Sequence, residues 1–312
     1  MDASIIVVTR NTRVLTCAAI ASVRAGAGAL RVQVIAVDNA STDGTAEAIA
    51  KEFPEVECIR SESNLGFARA VNLAAKRARG EFIVLLNSDA RLKDDALPAA
   101  IEWMRANPGA GIAGGQLLNK DGSRQNSIAN LPSLATELLN KSLLRWLFPR
   151  RYPGKAQVYS APVQVPSIIG AFFVIRRGVW EAVGGLDDRY FFFFEETDFC
   201  LQPRRRGWGV FHLPQVQIWH EQGGSARKTN AAARIEYWRS RYAYFRKNHS
   251  LAERAALRIG LVCRLIVNLL VALFINALTL GRAPKWRDRL AAMWAVAWWH
   301  LRGCPEHMGL PR

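Results

Sequence analysis

The stretch Gly80–Leu92, GEFIVLLNSDARL, decides how the rest of the chain is read. Phe82–Leu86 is an unbroken apolar run, the pattern of a strand buried on both faces. It stops abruptly on Asn87-Ser88-Asp89. Amide and carboxylate groups at the carboxyl end of such a strand lie where open α/β sheets bind their ligands. The stretch therefore predicts a sheet with a site at its carboxyl edge, and makes Asp89 a candidate for holding a divalent metal.

The pattern recurs on the N-terminal side. Ser4–Val8 is apolar and ends on Thr9-Arg10-Asn11; an Ala-rich helical stretch follows over Val14–Ala25. Val32–Val37 is a second buried run ending on Asp38-Asn39, and Ser41–Thr45 has the composition of a turn entering a helix. Glu57–Arg60 is a weaker strand, and Asn64–Arg79 opens on a glycine turn and continues as an amphipathic helix. Strands alternating with helices predict a doubly wound, mostly parallel α/β sheet. Because parallel strands share a direction, the polar clusters after Val8, Val37 and Leu86 must line one edge.

On the C-terminal side, Ile112–Leu118 reads as a strand and Asn119–Asn130 as a loop. Leu131–Arg151 reads as one short amphipathic helix, and Ser167–Arg177 as a strand with Gly170-Ala171 as a point of close approach. Gly184-Gly185 makes a turn before Tyr190–Cys200, YFFFFEETDFC, where aromatics run straight into acid. Trp208–Leu213 reads as a strand, and Trp219-His220-Glu221 ends a further short one.

Beyond residue 230 the character changes, which divides the chain into 1–230 and a basic, apolar helical region, 231–312. The net charge is +16. Residues 1–200 carry 23 Lys and Arg against 21 acids, and residues 201–312 carry 19 against 5. A balanced body with a basic end implies a polyanion met at that end. Ile259–Gly281 is long and apolar enough to cross a membrane, but it contains Arg264, Asn268 and Asn276. Basic residues flank it on both sides, which fits a helix lying on anionic headgroups better than a span. Leu290–Leu301, with its tryptophans, reads as a second interfacial helix. No helix-turn-helix, zinc or RNP signature accompanies the charge, which argues against nucleic acid as the partner and leaves a nucleic-acid-binding protein as the less favoured alternative. The five scattered cysteines read as reduced thiols, and no signal peptide precedes Ser4, which places the chain's chemistry in the cytoplasm.

Each chemically suggestive residue has a plain alternative. A lone carboxylate such as Asp89 holds Mg²⁺ or Mn²⁺ if a diphosphate and water complete the shell; alone it is a turn aspartate. Asp38 offers an acceptor for the ring N–H of a base, or caps a helix, the reading preferred for Asp43. Gly66 either lets backbone approach a ribose or phosphate or simply makes a turn. Glu195, Glu196 and Asp198 stand behind phenylalanines, where apolar surroundings and like charge raise carboxyl pKa values. They are candidate bases toward a hydroxyl, or an acidic helix start. His220, before a Gly-rich loop, is a candidate for metal or phosphate contact.

Taken together, the motifs SIIVVTRN (4–11), VDNASTDGT (37–45), NLGFARAVN (64–72), LLNSDARL (85–92), VGGLDDRYFFFFEETDFC (183–200) and IWHEQGGS (218–225) resemble glycosyltransferase family 2. The closer resemblance is to its rhamnosyltransferase-like members, which build bacterial surface polysaccharides. The likeness covers residues 4–228 and implies a GT-A fold and an inverting, metal-dependent transfer. It implies nucleotide contact by Thr9, Asp38, Gly66 and Asn72, metal at Asp89 assisted by His220, and Glu196 as catalytic base with Glu195 as the fallback. The chain departs from the family at Asn87, at Arg10, at Ala70, and at Glu196, where Asp is usual. The implied partners are a UDP- or dTDP-sugar, such as dTDP-rhamnose, and a polyprenyl-diphosphate-linked glycan. The place implied is the cytoplasmic face of the plasma membrane, in peripheral or monotopic attachment. The opposing reading is an inactive, membrane-bound scaffold with a transferase fold. A nucleotidyltransferase is excluded, because residues 4–13 contain no glycine for a phosphate loop.

Overall fold

The structure, a computed structural model, describes residues 1–149, 151–152, 157–221 and 230–312. The N-terminal half runs β1 (Ala3–Thr9), α1 (Arg13–Gly26), β2 (Val32–Asn39), α2 (Thr45–Glu52), β3 (Glu57–Ser61), α3 (Gly66–Ala75), β4 (Phe82–Leu86), β5 (Ala90–Leu92), α4 (Ala96–Ala106) and β6 (Ala110–Leu118). It continues with β7 (Ile128–Ala129), α5 (Leu134–Leu138), α6 (Lys141–Leu147), β8 (Val163–Gln164), β9 (Ser167–Ile168), β10 (Phe172–Arg176) and α7 (Arg177–Val183). The last elements are α8 (Glu195–Arg205), β11 (Gly209–His220), α9 (Asn230–Asn248), α10 (Leu251–Leu278) and α11 (Pro284–Leu301). Two compact units form. The first takes the described residues of Met1–Leu131, Arg145–Phe191 and Glu195–Ser225; the second takes 132–144, 192–194 and, of the described residues, 230–312.

The first unit is built on a sheet of order β3-β2-β1-β4-β10-β6-β11-β5. Strands β3, β2, β1 and β4 are mutually parallel, as the alternation of strands and helices requires. Their registers are level: Thr9 pairs with Asp38, Asp38 with Arg60, and Ile6 with Leu85, so the end of β1 stands beside Ser88. The polar clusters therefore do share one edge. The apolar run of β4 is also explained. Phe82, Val84 and Leu86 join a core with α1 and α4, while Ile83 and Leu85 join the opposite core with α3 and α8. Each successive side chain points to the other face, so a strand covered on both faces has no polar position.

Beyond β4 the sheet departs from the sequence reading. Strand β10 is antiparallel to both β4 and β6, and β11 is antiparallel to β5. The end of Gly80–Leu92 is a strand of its own, β5, at the far edge of the sheet. The expected pair of short strands after Trp208 is one strand, β11, interrupted by a shift of register between Leu213 and Gln217. The expected single helix over Leu131–Arg151 is two, α5 and α6, and the loop over Asn119–Asn130 contains β7. The strand expected over Ser167–Arg177 breaks at Gly170-Ala171 into β9 and β10.

In the second unit α9, α10 and α11 share a core of Ile235, Leu265, Ala272, Met293, Val296 and Trp299. Ser250 caps α10 with a reciprocal bond to Glu253, satisfying two donors that a helix start leaves open. Three polar residues within the apolar stretch of α10 bond to carbonyl oxygens of the same unit. Arg264 donates to Glu137 O at 2.8 Å, Asn268 to Arg264 O at 2.8 Å, and Asn276 to Ala272 O at 2.8 Å. Leu257, Leu261 and Leu265 are buried, whereas Ile266, Leu270 and Phe274 are 52%, 60% and 64% exposed. Among the described residues α10 is the one helix long and apolar enough to cross a membrane.

Candidate active site at the carboxyl edge of the sheet

Hydrogen bonds stitch the loops after β1 and β2 together. Asn11, with φ of 54°, accepts from Thr42 N at 2.7 Å, and its own N donates to Ser41 Oγ at 3.0 Å. Asparagine tolerates this left-handed conformation better than other residues with a side chain. Asp43 receives Arg13 N at 3.0 Å and Thr45 N at 3.2 Å, serving the first turns of both α1 and α2. Burial opposes its ionisation, but these bonds and the Thr45 hydroxyl outweigh it and lower its pKa. Asp38 is buried at the edge, and one carboxylate oxygen accepts from Ser41 N at 3.1 Å.

The other expected nucleotide contacts are placed less simply. Thr9 is buried, its hydroxyl bonded to those of Thr12 at 2.9 Å and Thr16 at 2.6 Å. What Thr9 offers the edge is backbone. Asn72 braces the segment after Gly185: its Nδ2 donates to Leu186 O and Asp188 Oδ1, each at 2.7 Å, and its Oδ1 accepts from Leu186 N at 2.9 Å. Gly66 has φ of +78°, and a Cβ there would lie 2.4 Å from Phe191 O. The glycine is needed because the chain at Phe191 crosses directly over it, with Phe67 N donating to that same oxygen at 2.9 Å.

The turn Asn87–Asp89 links a central strand, β4, to an edge strand, β5. Pairing of β11 with β5 sets His220 opposite Ala90, and Glu221 N donates to Asp89 O at 2.9 Å. His220 Nε2 consequently lies 3.4 Å from Asp89 Oδ1. Gln125 determines what that contact is. Its Nε2 donates to His220 O at 2.6 Å and Asn119 Oδ1 at 2.8 Å, which turns its Oε1 toward His220 Nδ1 at 2.9 Å. A carbonyl oxygen only accepts, so Nδ1 carries a proton; toward the carboxylate Nε2 then offers a lone pair in the neutral ring and an N–H in the imidazolium. In the neutral ring the two are both acceptors, and a cation lying between them would relieve their repulsion. Nitrogen and oxygen donors together suit a transition-metal ion such as Mn²⁺. Among the described residues no cluster of three or more His, Cys, Asp or Glu forms, so these two donors need oxygens from a ligand and water. The donor set fits a divalent cation carried in with a diphosphate.

The acidic cluster begins α8. Phe193 and Phe194, just before it, both have φ of 71°, a conformation that costs a side chain energy and gathers at functional sites. Glu195 and Asp198 are buried. The carboxyl of Glu196 lies against Gly170, where an added Cβ would come within 3.1 Å of Oε1 and 3.2 Å of Cδ. Burial raises the pKa of Glu196, opposed in part by hydrogen bonds that include the Gly170 backbone N–H. One residue on, Ala171 O accepts from Asn87 N at 3.1 Å. The Gly170-Ala171 break thus ties the Asn87–Asp89 turn to Glu196. Of the expected site residues, the structure joins Asp89 with His220 directly, and connects Glu196 to their turn through two adjacent residues. Sequence reading missed Gln125 altogether, since a buried amide in a polar loop carries no local signal. The Gly-rich loop after Glu221 lies outside the described residues.

Comparison with known proteins bears on this geometry. The family model described as "Glycosyl transferase family 2" matches residues 4–184, more than half of the chain. The chain is 27% identical over 242 residues to the N-acetylglucosaminyl-diphospho-decaprenol L-rhamnosyltransferase of Mycobacterium tuberculosis, covering 73% of this chain and 78% of that protein. It is 25% identical over 228 residues to the dTDP-rhamnosyl transferase RfbF of Shigella flexneri, covering 69% and 71%. Among solved structures, the Pyrobaculum calidifontis mannosyltransferase PcManGT in complex with GDP-Man and Mn²⁺ superposes with a TM-score of 0.58 at 20% identity, covering 97% of this chain and 88% of that one. S. aureus TarS 1-349 in complex with UDP-GlcNAc does so with a TM-score of 0.57 at 15% identity, covering 82% and 69%. At such identities these two structures show a common fold and nothing more.

Proposed function

Because the chain belongs to glycosyl transferase family 2, we propose that it is an inverting, metal-dependent transferase in which Glu196 is the base and Asp89 and His220 hold the cation. The observation that carries this reading is the Asp89–His220 contact at 3.4 Å, a carboxylate facing the ring nitrogen opposite the one that Gln125 holds.

Asp38, at the edge beside Thr9, takes the base of the nucleotide, and the backbone at Thr9 and Gly66 lies along its ribose and phosphates. Asn72 supports that side by holding the segment at Leu186. A cation held by Asp89 and His220 supplies positive charge against the charge that develops on a departing nucleoside diphosphate. Glu196 accepts the proton of an acceptor hydroxyl. The hydroxyl oxygen forms its bond to the anomeric carbon as the bond to the diphosphate oxygen breaks, and the configuration inverts. A carboxyl with a raised pKa is a stronger base once ionised, which suits this task. Glu195 is the fallback for the same role.

The names of both relatives support rhamnose as the sugar, that of the Shigella relative supports dTDP as its carrier, and that of the mycobacterial relative supports a polyprenyl-diphosphate-linked glycan as the acceptor. Residues 1–230 form the catalytic part and 231–312 attach it to the membrane. The exposed Ile266, Leu270 and Phe274 of α10 enter the acyl region from the cytoplasmic side, among anionic headgroups that the basic C-terminal region attracts.

The deciding experiment follows nucleoside diphosphate release from a panel of UDP-, GDP- and dTDP-sugars with Mg²⁺ or Mn²⁺, in the wild type, Asp89→Ala and Glu196→Gln. Both variants should lose at least about 100-fold in kcat while retaining the wild-type circular dichroism spectrum. Full activity in Glu196→Gln removes Glu196 as base, and full activity in Asp89→Ala removes the metal assignment.

A further inference from the structure

We propose that Gln125 is a positioning residue that selects the tautomer of His220 and aims its Nε2 at Asp89; this rests on the metal assignment above. Gln125 is 6% exposed. A single amide grips His220 twice, accepting from ring Nδ1 at 2.9 Å and donating to the carbonyl of the same residue at 2.6 Å. The ring is thereby fixed relative to its own backbone, which the β11–β5 pairing has already fixed relative to Asp89.

The amide has one workable orientation. Its Nε2 also donates to Asn119 Oδ1 at 2.8 Å and Leu118 O at 3.3 Å. Rotated end for end, the carbonyl oxygen would face these acceptors and the His220 carbonyl together, with every donor lost. Gln125 is held in turn through its backbone, its N donating to Leu117 O at 2.8 Å and its O accepting from Gln116 Nε2 at 2.9 Å. That anchoring is on β6, the strand parallel to β11. Without the amide, nothing else described at the ring prevents the opposite tautomer. That tautomer carries its proton on Nε2 and is closed to a cation.

The test uses the full-length protein with ¹⁵N-labelled histidine, free of metal and at a pH where the ring is neutral. The His220 signals are identified by their disappearance in His220→Ala. Wild-type His220 should show a protonated Nδ1 and a bare Nε2. In Gln125→Met, which keeps the side-chain bulk, the signals should shift toward the other tautomer. Mn²⁺ affinity, read by electron paramagnetic resonance, should fall about 10–100-fold. A protonated Nε2 in the wild type overturns the proposal whether or not the variant folds, and so does a folded Gln125→Met that binds Mn²⁺ as the wild type does. Asp89→Ala retaining wild-type Mn²⁺ affinity overturns instead the metal assignment on which the proposal rests. The metal-free spectrum reports on Gln125 independently of that result.

Discussion

Replacing Gly170 by alanine tests the catalytic side of the site without touching any group that reacts. A Cβ at position 170 would stand 3.1 Å from Glu196 Oε1, 3.2 Å from Cδ and 3.3 Å from Cγ. Ordinary contact begins near 3.5 Å, so the carboxyl must retreat by roughly 0.3–0.4 Å. A displacement of 1 Å costs on the order of 100-fold, and taking the loss as exponential in distance gives about fivefold in kcat. The backbone at Gly170 is not left-handed, so alanine is tolerated there and stability should change by less than about 1 kcal/mol. Steady-state release of nucleoside diphosphate gives kcat, and thermal unfolding of the same preparation gives Tm. Gly178→Ala is the control, because nothing lies within 4 Å of a Cβ there. Wild-type kcat in Gly170→Ala, or a loss matched by the control, would refute the placement of Glu196 as base.

Three other outcomes are expected. Since burial raises the pKa of Glu196 and the base must be ionised, kcat/KM should rise with pH along a limb displaced above the ordinary glutamate range. The folded state binds this proton more tightly than the unfolded state, so the stabilisation is complete at low pH and is lost as pH rises through the folded value. Glu196→Gln should therefore gain in Tm relative to wild type as pH rises above the ordinary glutamate range, and a constant difference would contradict the assignment. Gly66→Ala should cost about 2–4 kcal/mol in denaturant unfolding, from the left-handed φ and the overlap with Phe191 O; wild-type stability would show that the chain at Phe191 does not need the glycine. Leu270→Glu with Phe274→Glu should weaken partition onto phosphatidylglycerol vesicles by about 100-fold, two side chains at about 1.5 kcal/mol each. Tm should hold, since both are well exposed, and unchanged vesicle binding would remove α10 from the membrane contact.

The division between what sequence and structure each determined follows the range of the interactions involved. Apolar runs of length five or so, each ended by polar residues, specify buried strands because burial on both faces leaves no place for a polar side chain. That local rule was enough for β1, β2 and β4, for their shared edge, and for Asp38 and Asp89 upon it. The resemblance to glycosyltransferase family 2, carried by the same motifs, is matched by the family model over residues 4–184. Strand direction beyond β4 was not legible, because an apolar run has the same pattern whether its neighbour is parallel or antiparallel. The interruption of β11 between Leu213 and Gln217 likewise hid the continuity of one strand. Which distant residue stands beside Asp89 depends on the pairing of β11 with β5, a choice made over the whole chain and written in no window of it. The same holds for Gln125 against His220 and for Gly170 against Glu196. The residue types of the site were local facts, and their distances were tertiary ones.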